Sequence, residues 1–244
     1  MPPESVAGQG SAPPAAGGIL PAPPGTVTGS HPMPRETFEA ARAARLAALR
    51  LELAAHLPPS TSPLVLEVGC GNGHFLTAYA AEHPGQTCVG IDLRLERIGK
   101  ARRKQDRAGL DLLHFLRAEA MEFLHELPAA VLLRDVYMLF PDPLPKKRHH
   151  KNRLFNRQFL DALGARAMPG TRLFFRTDYK PYYIEAEEMV ASHPGWQRLA
   201  PSPFAFEHPT IFQSRATVYY SLAAAWEPKI ARNAALASSF GCGT

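Results

Sequence analysis

The chain has 244 residues, with 27 Lys and Arg against 22 Asp and Glu, 45% apolar residues and 20% charged ones. That length suits one α/β domain with an appendage better than two full domains, and the apolar share is enough for a packed core. No apolar run approaches the roughly 18 residues that span a bilayer, and Cys70, Cys88 and Cys242 lack C-x-x-C spacing, so a soluble cytoplasmic protein without disulfides or metal is expected.

Residues 1–34 hold nine prolines, six glycines and one charged side chain, Glu4. Such a segment buries too little apolar surface to offset its ordering entropy, so a disordered tail is expected. It has neither the basic start and apolar core of a secretory signal nor the arginines of a mitochondrial transit peptide. A helix is predicted over 35–57, where Leu46, Leu49, Leu53 and Leu57 recur at helical spacing and form one stripe for packing on the main domain.

From residue 63 short apolar runs alternate with helix-length segments: 64–68, 87–91, 112–116, 131–139 and 172–176. This spacing suits β-α-β crossovers and predicts an α/β fold, a mainly parallel sheet with helices on both faces. A Tyr-rich stretch at 215–222 adds an edge strand and closes a domain spanning 58–222. Residues 223–244 are left as an extension that frays.

In such sheets ligands bind beyond the carboxyl ends of the strands. Glu67, Asp92, Glu119, Asp142 and Asp178 stand at the five exits. Glu67-Val-Gly-Cys-Gly-Asn-Gly73 follows the first strand and opens a helix at 74–82. Gly69, Gly71 and Gly73 let the backbone turn tightly and approach a ligand without a Cβ in the way. A nicotinamide cofactor is a rival, since Asp92 lies 23 residues after Gly69, but that fingerprint needs glycine at position 74, where His74 stands. S-adenosylmethionine, with a sulfonium, an ammonium and two ribose hydroxyls, suits acidic strand ends better than a pyrophosphate, which seeks N–H groups and cations. Asp92 is expected to accept from the ribose hydroxyls and Glu119 from the adenine amine. Each carboxylate has an alternative reading as a solvated loop acid or a helix cap.

After the fourth strand comes Leu139-Phe-Pro-Asp-Pro-Leu-Pro-Lys-Lys-Arg-His-His-Lys-Asn-Arg153. Pro141, Pro143 and Pro145 fix φ at alternate positions, so Asp142 is expected on a stiff, extended loop. Lys146, Lys147, Arg148, Lys151 and Arg153 follow within eight residues. A solvated loop or a nuclear-localisation signal accounts for the cations but not for the rigid acid before them; a nucleic-acid backbone beside a reacting base accounts for both. His149 and His150 lack an acid or cysteine partner at ligand spacing, so RNA or surface contact is preferred to metal. Arg176-Thr-Asp-Tyr-Lys-Pro-Tyr182 leaves the fifth strand with Asp178, and Pro209-Thr-Ile-Phe-Gln-Ser-Arg215 can reach back over the site.

Together these stretches resemble the bacterial tRNA (guanine-N7)-methyltransferase family over roughly 60–222, most specifically in the FPDP-x-x-KKRHHK loop. The resemblance implies a Rossmann-like class I methyltransferase fold with a seven-stranded sheet, S-adenosylmethionine as cofactor, and methylation of a guanosine at position 46 of the tRNA variable loop. It places cofactor contacts on Glu67, Asp92 and Glu119, the active-site acid on Asp142, and substrate contacts on Lys146, Asp178 and Thr210, Ile211, Phe212 and Gln213. Four positions depart from the family pattern: Asp92 stands for a usual Glu, Glu119 for Asp, Leu144 for Trp and Gln213 for Glu. A methyltransferase acting on another RNA position or nitrogen nucleophile, and a non-catalytic RNA-binding protein on the same fold, stay open as alternatives. No obligate protein partner is evident beside tRNA.

The charge is unevenly placed. Residues 141–157 hold six cations and one acid, and residues 94–107 hold seven cations and two acids, on a chain otherwise acidic. The second segment falls on the helix after the second strand.

Overall fold

Each of the five apolar runs between 64 and 176 forms a strand of one sheet. The computed structural model describes residues 35–58, 63–201, 204–210, 213–214 and 216–228. The expected tail over 1–34, Ile211, Phe212 and most of the C-terminal extension lie outside the described residues.

In chain order the elements are α1 (Arg35–His56), β1 (Leu64–Val68), α2 (His74–Glu82), β2 (Cys88–Asp92), α3 (Leu95–Ala108), β3 (Leu113–Arg117), α4 (Ala120–Glu126) and β4 (Leu133–Leu139). A 3-10 helix (Lys147–Asn152) then precedes α5 (Arg157–Gly164), β5 (Ala167–Thr177), α6 (Lys180–Ser192), β6 (Trp196–Arg198) and β7 (Tyr220–Trp226). The sheet order is β3-β2-β1-β4-β5-β7-β6, with β1 to β5 parallel and β7 antiparallel to both neighbours. The chain builds outward from β1 through β2 and β3, then returns to the other side of β1 for β4 and β5. That reversal opens a crevice at the carboxyl ends of β1 and β4.

Alternation along the buried strands divides the core in two. Leu64, Leu66 and Val68 join α1, α4, α5 and α6 on one face, while Val65 joins α2 and α3 on the other. On the first face Leu49, Leu53 and Leu57 are all but fully buried. Each such side chain contributes about 1.5–3 kcal/mol, against about 0.2–1 kcal/mol for exposed ion pairs such as Arg42 and Arg45 with Glu122. The leucine stripe therefore anchors α1.

Two expectations need correction. The strand predicted at 215–222 runs instead from Tyr220 to Trp226, so the domain continues beyond 222 and the first residues of the extension lie in the sheet. Nor is that strand the edge. It lies between β5 and β6, and the three-residue β6 is too short to show a period in sequence. The Trp226 indole closes this end against Gly164 and Gly195; a Cβ on either would come within 2.5 Å of the ring.

Candidate active site

On the β1 side of the crevice, the glycine turn leaves Val68 and folds back on β2: the N–H groups of Gly69 and Cys70 both donate to the Ile91 carbonyl, at 2.8 and 2.9 Å. Gly69 and Gly71 have φ of 78° and 55°, and a Cβ on either would meet nothing within 4 Å. Backbone conformation and open space together make these two a cradle that a ligand can approach closely. Gly73 shares their left-handed φ, at 71°, but a Cβ there would also lie 2.6 Å from the Phe115 ring and 2.8 Å from the Ala101 methyl, so packing between β3 and α3 needs its hydrogen as well.

The Glu67 side chain is buried, and its Oε2 has no hydrogen-bond partner. Burial pushes its carboxyl up to about 8; the Asp92 charge adds to this, and a backbone N–H from Leu76 opposes it. An orphaned acidic oxygen beside an open glycine turn suits a cationic ligand. In the ligand-free protein the folded state keeps a proton on Glu67 that the unfolded chain releases above its ordinary value of 4.5. Folding stability from this group is therefore complete below that value and is lost as pH rises towards about 8. Glu67→Gln should lack this decline, so its melting temperature should gain on the wild type between pH 5 and 8 in a thermal-denaturation series. Parallel pH profiles would show that Glu67 ionises normally.

Asp92 ends β2 and organises the turn. Its Oδ1 accepts from the Arg94 N–H at 2.8 Å; its Oδ2 accepts from the Gly71 N–H at 3.1 Å and from Arg97 at 3.4 Å. A carboxylate offers about four acceptor positions, so one remains for a ligand hydroxyl. Glu119 is the N-cap of α4, with one oxygen accepting from the Glu122 N–H at 2.9 Å. Its cap role and its place at the exit of β3 coexist. Cys70 is buried, which pushes its thiol well above the ordinary range and suits a space-filling side chain.

On the β4 side the loop over 141–145 has no regular structure, and it is not extended throughout as its prolines suggested. Phe140 and Leu144 both have left-handed φ, 53° and 42°. Non-glycine residues there cost about 1–3 kcal/mol each and persist only where neighbours enforce them. Three bonds do so. Phe140 N–H donates to the Arg176 carbonyl at 2.7 Å, Leu144 N–H donates to Asp142 Oδ1 at 3.1 Å, and Arg153 Nε donates to the Pro143 carbonyl at 2.8 Å. Asp142 is thus exposed yet held.

Arg153 departs from its expected role as a phosphate contact. Only 2% of its side chain is exposed. The guanidinium pairs with Glu185, sits 4.7 Å from the Tyr182 ring centroid and donates to His150 Nε2 at 3.1 Å. Because arginine only donates, His150 accepts there and turns its Nδ1 proton towards Glu185, 3.3 Å away. The turn of 3-10 helix carries Arg153 back beneath the loop that precedes it. Lys146, Lys147, Arg148 and Lys151 stay exposed.

Asp178, one residue beyond β5, is exposed. Thr210 accepts from the Gln213 N–H through Oγ1 at 3.0 Å, so the ends of the expected substrate stretch form a turn. Both ends of the Gln213 amide are engaged: Oε1 accepts from Arg176 at 3.1 Å and Nε2 donates to the Tyr219 hydroxyl at 3.3 Å. The residues that the sequence reading passed over are Arg176, Glu185 and Glu207. A charged side chain closing the apolar run Leu173-Phe174-Phe175 is the signal that could have found the first.

The second basic segment lies on α3, on the face opposite α5 and α6. Among its seven cations Arg97 pairs with Asp92, Lys100 with Glu96 and Arg102 with Glu52, and Lys104 donates to the Asn72 carbonyl, while Arg94, Lys100, Arg103 and Arg107 are exposed. Among the described residues no cluster of three His, Cys, Asp or Glu could hold a metal ion, and no helix is long and apolar enough to cross a membrane.

A family model described as "Putative methyltransferase" matches residues 61–228. The chain belongs to this methyltransferase family. Three curated relatives carry the name tRNA (guanine-N(7)-)-methyltransferase. That of Rubrobacter xylanophilus is 35% identical over 142 residues, which are 58% of this chain and 63% of the relative. That of Syntrophotalea carbinolica is 36% identical over 60% of this chain and 63% of its own, and that of Geobacter metallireducens is 34% identical over 61% and 71%. The matches thus span about 63% of the length of the first two relatives. In fold the chain is similar to the aminoglycoside resistance methyltransferase NpmB1, with a TM-score of 0.50 and 16% identity over 72% of this chain and 93% of that one. The likeness bears out the Rossmann-like sheet expected from sequence.

Proposed function

We propose that this chain transfers a methyl group from S-adenosylmethionine to N7 of a guanosine in tRNA, at position 46 of the variable loop, in the cytoplasm. The observation that carries the reading is Asp142, fixed at the exit of β4 across the crevice from the glycine turn and followed at once by four exposed cations. The relatives' names support the base and the nucleic acid.

When bound, S-adenosylmethionine supplies an electrophilic methyl group on a sulfonium. Glu67 offers it an unpartnered acidic oxygen, Asp92 its remaining acceptor position, Glu119 a carboxylate at the exit of β3, and Gly69 and Gly71 a backbone free of Cβ atoms. Guanine N7 carries an in-plane lone pair and need not lose a proton to react, which agrees with a site holding exposed carboxylates rather than a base poised on a nucleophile. Asp142 and Asp178 would accept from the guanine N1–H and exocyclic amine, fixing the ring in line and favouring the positive charge it gains. Lys146, Lys147, Arg148 and Lys151 would hold phosphates, with Thr210 and Gln213 closing over the nucleotide.

Incubation with S-adenosylmethionine and unmodified tRNA, followed by chemical cleavage at 7-methylguanosine, tests the reading. One cut in the variable loop is expected; methyl transfer confined to other positions would overturn the assignment of the base. Replacing Lys147 and Lys151 together by alanine should weaken tRNA binding and reduce the slope of log affinity against log salt by about one to two. An unchanged slope would make the loop a solvated surface.

A further inference from the structure

Arg176 is the penultimate residue of β5, with only 5% of its side chain exposed, at the end of a run that is otherwise core. It bonds to residues from three separate parts of the chain. Its carbonyl accepts the Phe140 N–H at 2.7 Å, two residues before Asp142. Its guanidinium binds Glu207 with two parallel bonds of 2.9 and 2.7 Å, Gln213 Oε1 at 3.1 Å and Ser221 Oγ at 2.9 Å. The Phe204 and Tyr219 rings lie against it, 3.9 and 4.8 Å from ring centroid to guanidinium carbon. Asp178 follows two residues later.

An ion pair with one buried partner is poor evidence of stabilisation, because a well-packed apolar side chain of similar volume often does as well. What the pair determines is geometry. Paired bonds to a planar guanidinium fix orientation as well as distance, and all the guanidinium's partners beyond the strands belong to the segment carrying Thr210 and Gln213. The Glu207 side chain is 55% exposed, so its carboxylate binds the arginine on one edge and meets solvent on the other. Gln213 brings a neutral amide to the same guanidinium. The charge that would accompany an acid at 213 is already supplied by Glu207.

We propose that Arg176 is a positioning residue for substrate binding: with Glu207 as its counter-charge, it clasps Gln213, whose N–H bonds Thr210, to the exits of β4 and β5. The inference rests on the proposed methyl transfer to tRNA. The clasp sets how well tRNA is held and leaves the glycine turn untouched.

The test compares the wild type, Glu207→Gln and the double variant Glu207→Gln/Gln213→Glu, which moves the carboxylate to the other ligand of the same guanidinium. With unmodified tRNA, Glu207→Gln should raise KM about tenfold, with S-adenosylmethionine affinity by calorimetry unchanged within about twofold. The double variant should recover most of the loss. Hydrogen exchange over residues 204–210 should quicken in Glu207→Gln and slow again in the double variant. If the wild type methylates tRNA and Glu207→Gln has an unchanged KM, or the double variant is no better than the single, the clasp is overturned and the function stands. If the wild type transfers no methyl group to tRNA, the function fails, and exchange alone decides the clasp: the same exchange in all three proteins overturns it. A fall in cofactor affinity matching the rise in KM also overturns it, since the damage would then not be confined to the substrate segment.

Discussion

Asp142→Asn should lower methyl transfer to tRNA by about 10²–10³-fold while S-adenosylmethionine binding and melting temperature stay at wild-type values. The asparagine Oδ1 can still accept the Leu144 N–H, so the left-handed turn at Leu144 keeps its support. The side chain is exposed, so the exchange of charge for amide costs little in folding. What is lost is one negative charge where a guanine would present two N–H donors and gain positive charge. Steady-state rates beside calorimetry with the cofactor separate the two effects. Wild-type turnover in this variant would remove Asp142 from the reaction.

Arg153→Met should be the most destabilising of the loop substitutions, by about 2–4 kcal/mol, or roughly 5–12 °C in melting temperature for a chain of this size. Methionine fills much of the volume over Tyr182 but leaves Glu185 without its main cation and the Pro143 carbonyl without its donor. The one-third exposure of Glu185 lets water relieve part of that cost. Without the brace, the strain at Phe140 and Leu144 is free to relax, and turnover should fall as well. Lys151→Ala, two residues earlier on the exposed side, should stay within about 0.5 kcal/mol of the wild type. Thermal melts of the pair decide the matter: equal melting temperatures would return Arg153 to the surface.

The contrast between Lys151 and Arg153 shows where sequence stops informing. Five cations within eight residues read as one phosphate-binding run, and composition does not say which of them a short 3-10 helix directs inward. The strands were legible because burial on both faces of a parallel sheet demands apolar runs, and α2 because a glycine turn must deliver a helix. Gly73 reads like Gly69 and Gly71 in the motif, yet it has a second reason, the Phe115 ring, 42 residues later in the chain. Glu207 offered no signal at all. Its importance comes from Arg176, and that pairing exists only once β7 has been laid antiparallel against β5. Local patterns report local constraints; partners brought together by the sheet do not announce themselves.

The reversal of strand order at β1 also divides the genetic message. Glu67, Asp92 and Glu119 are all encoded before α4 ends at Glu126, and Asp142, Asp178 and Glu207 all after β4 begins at Leu133. A single recombination event in the six codons between them would exchange one set of carboxylates whole and leave the other intact. The half proposed to meet a cofactor and the half proposed to meet a substrate can therefore be inherited, shuffled and selected as separate cassettes. The seam between them is the contact of β1 with β4, where a chimera has to match its packing.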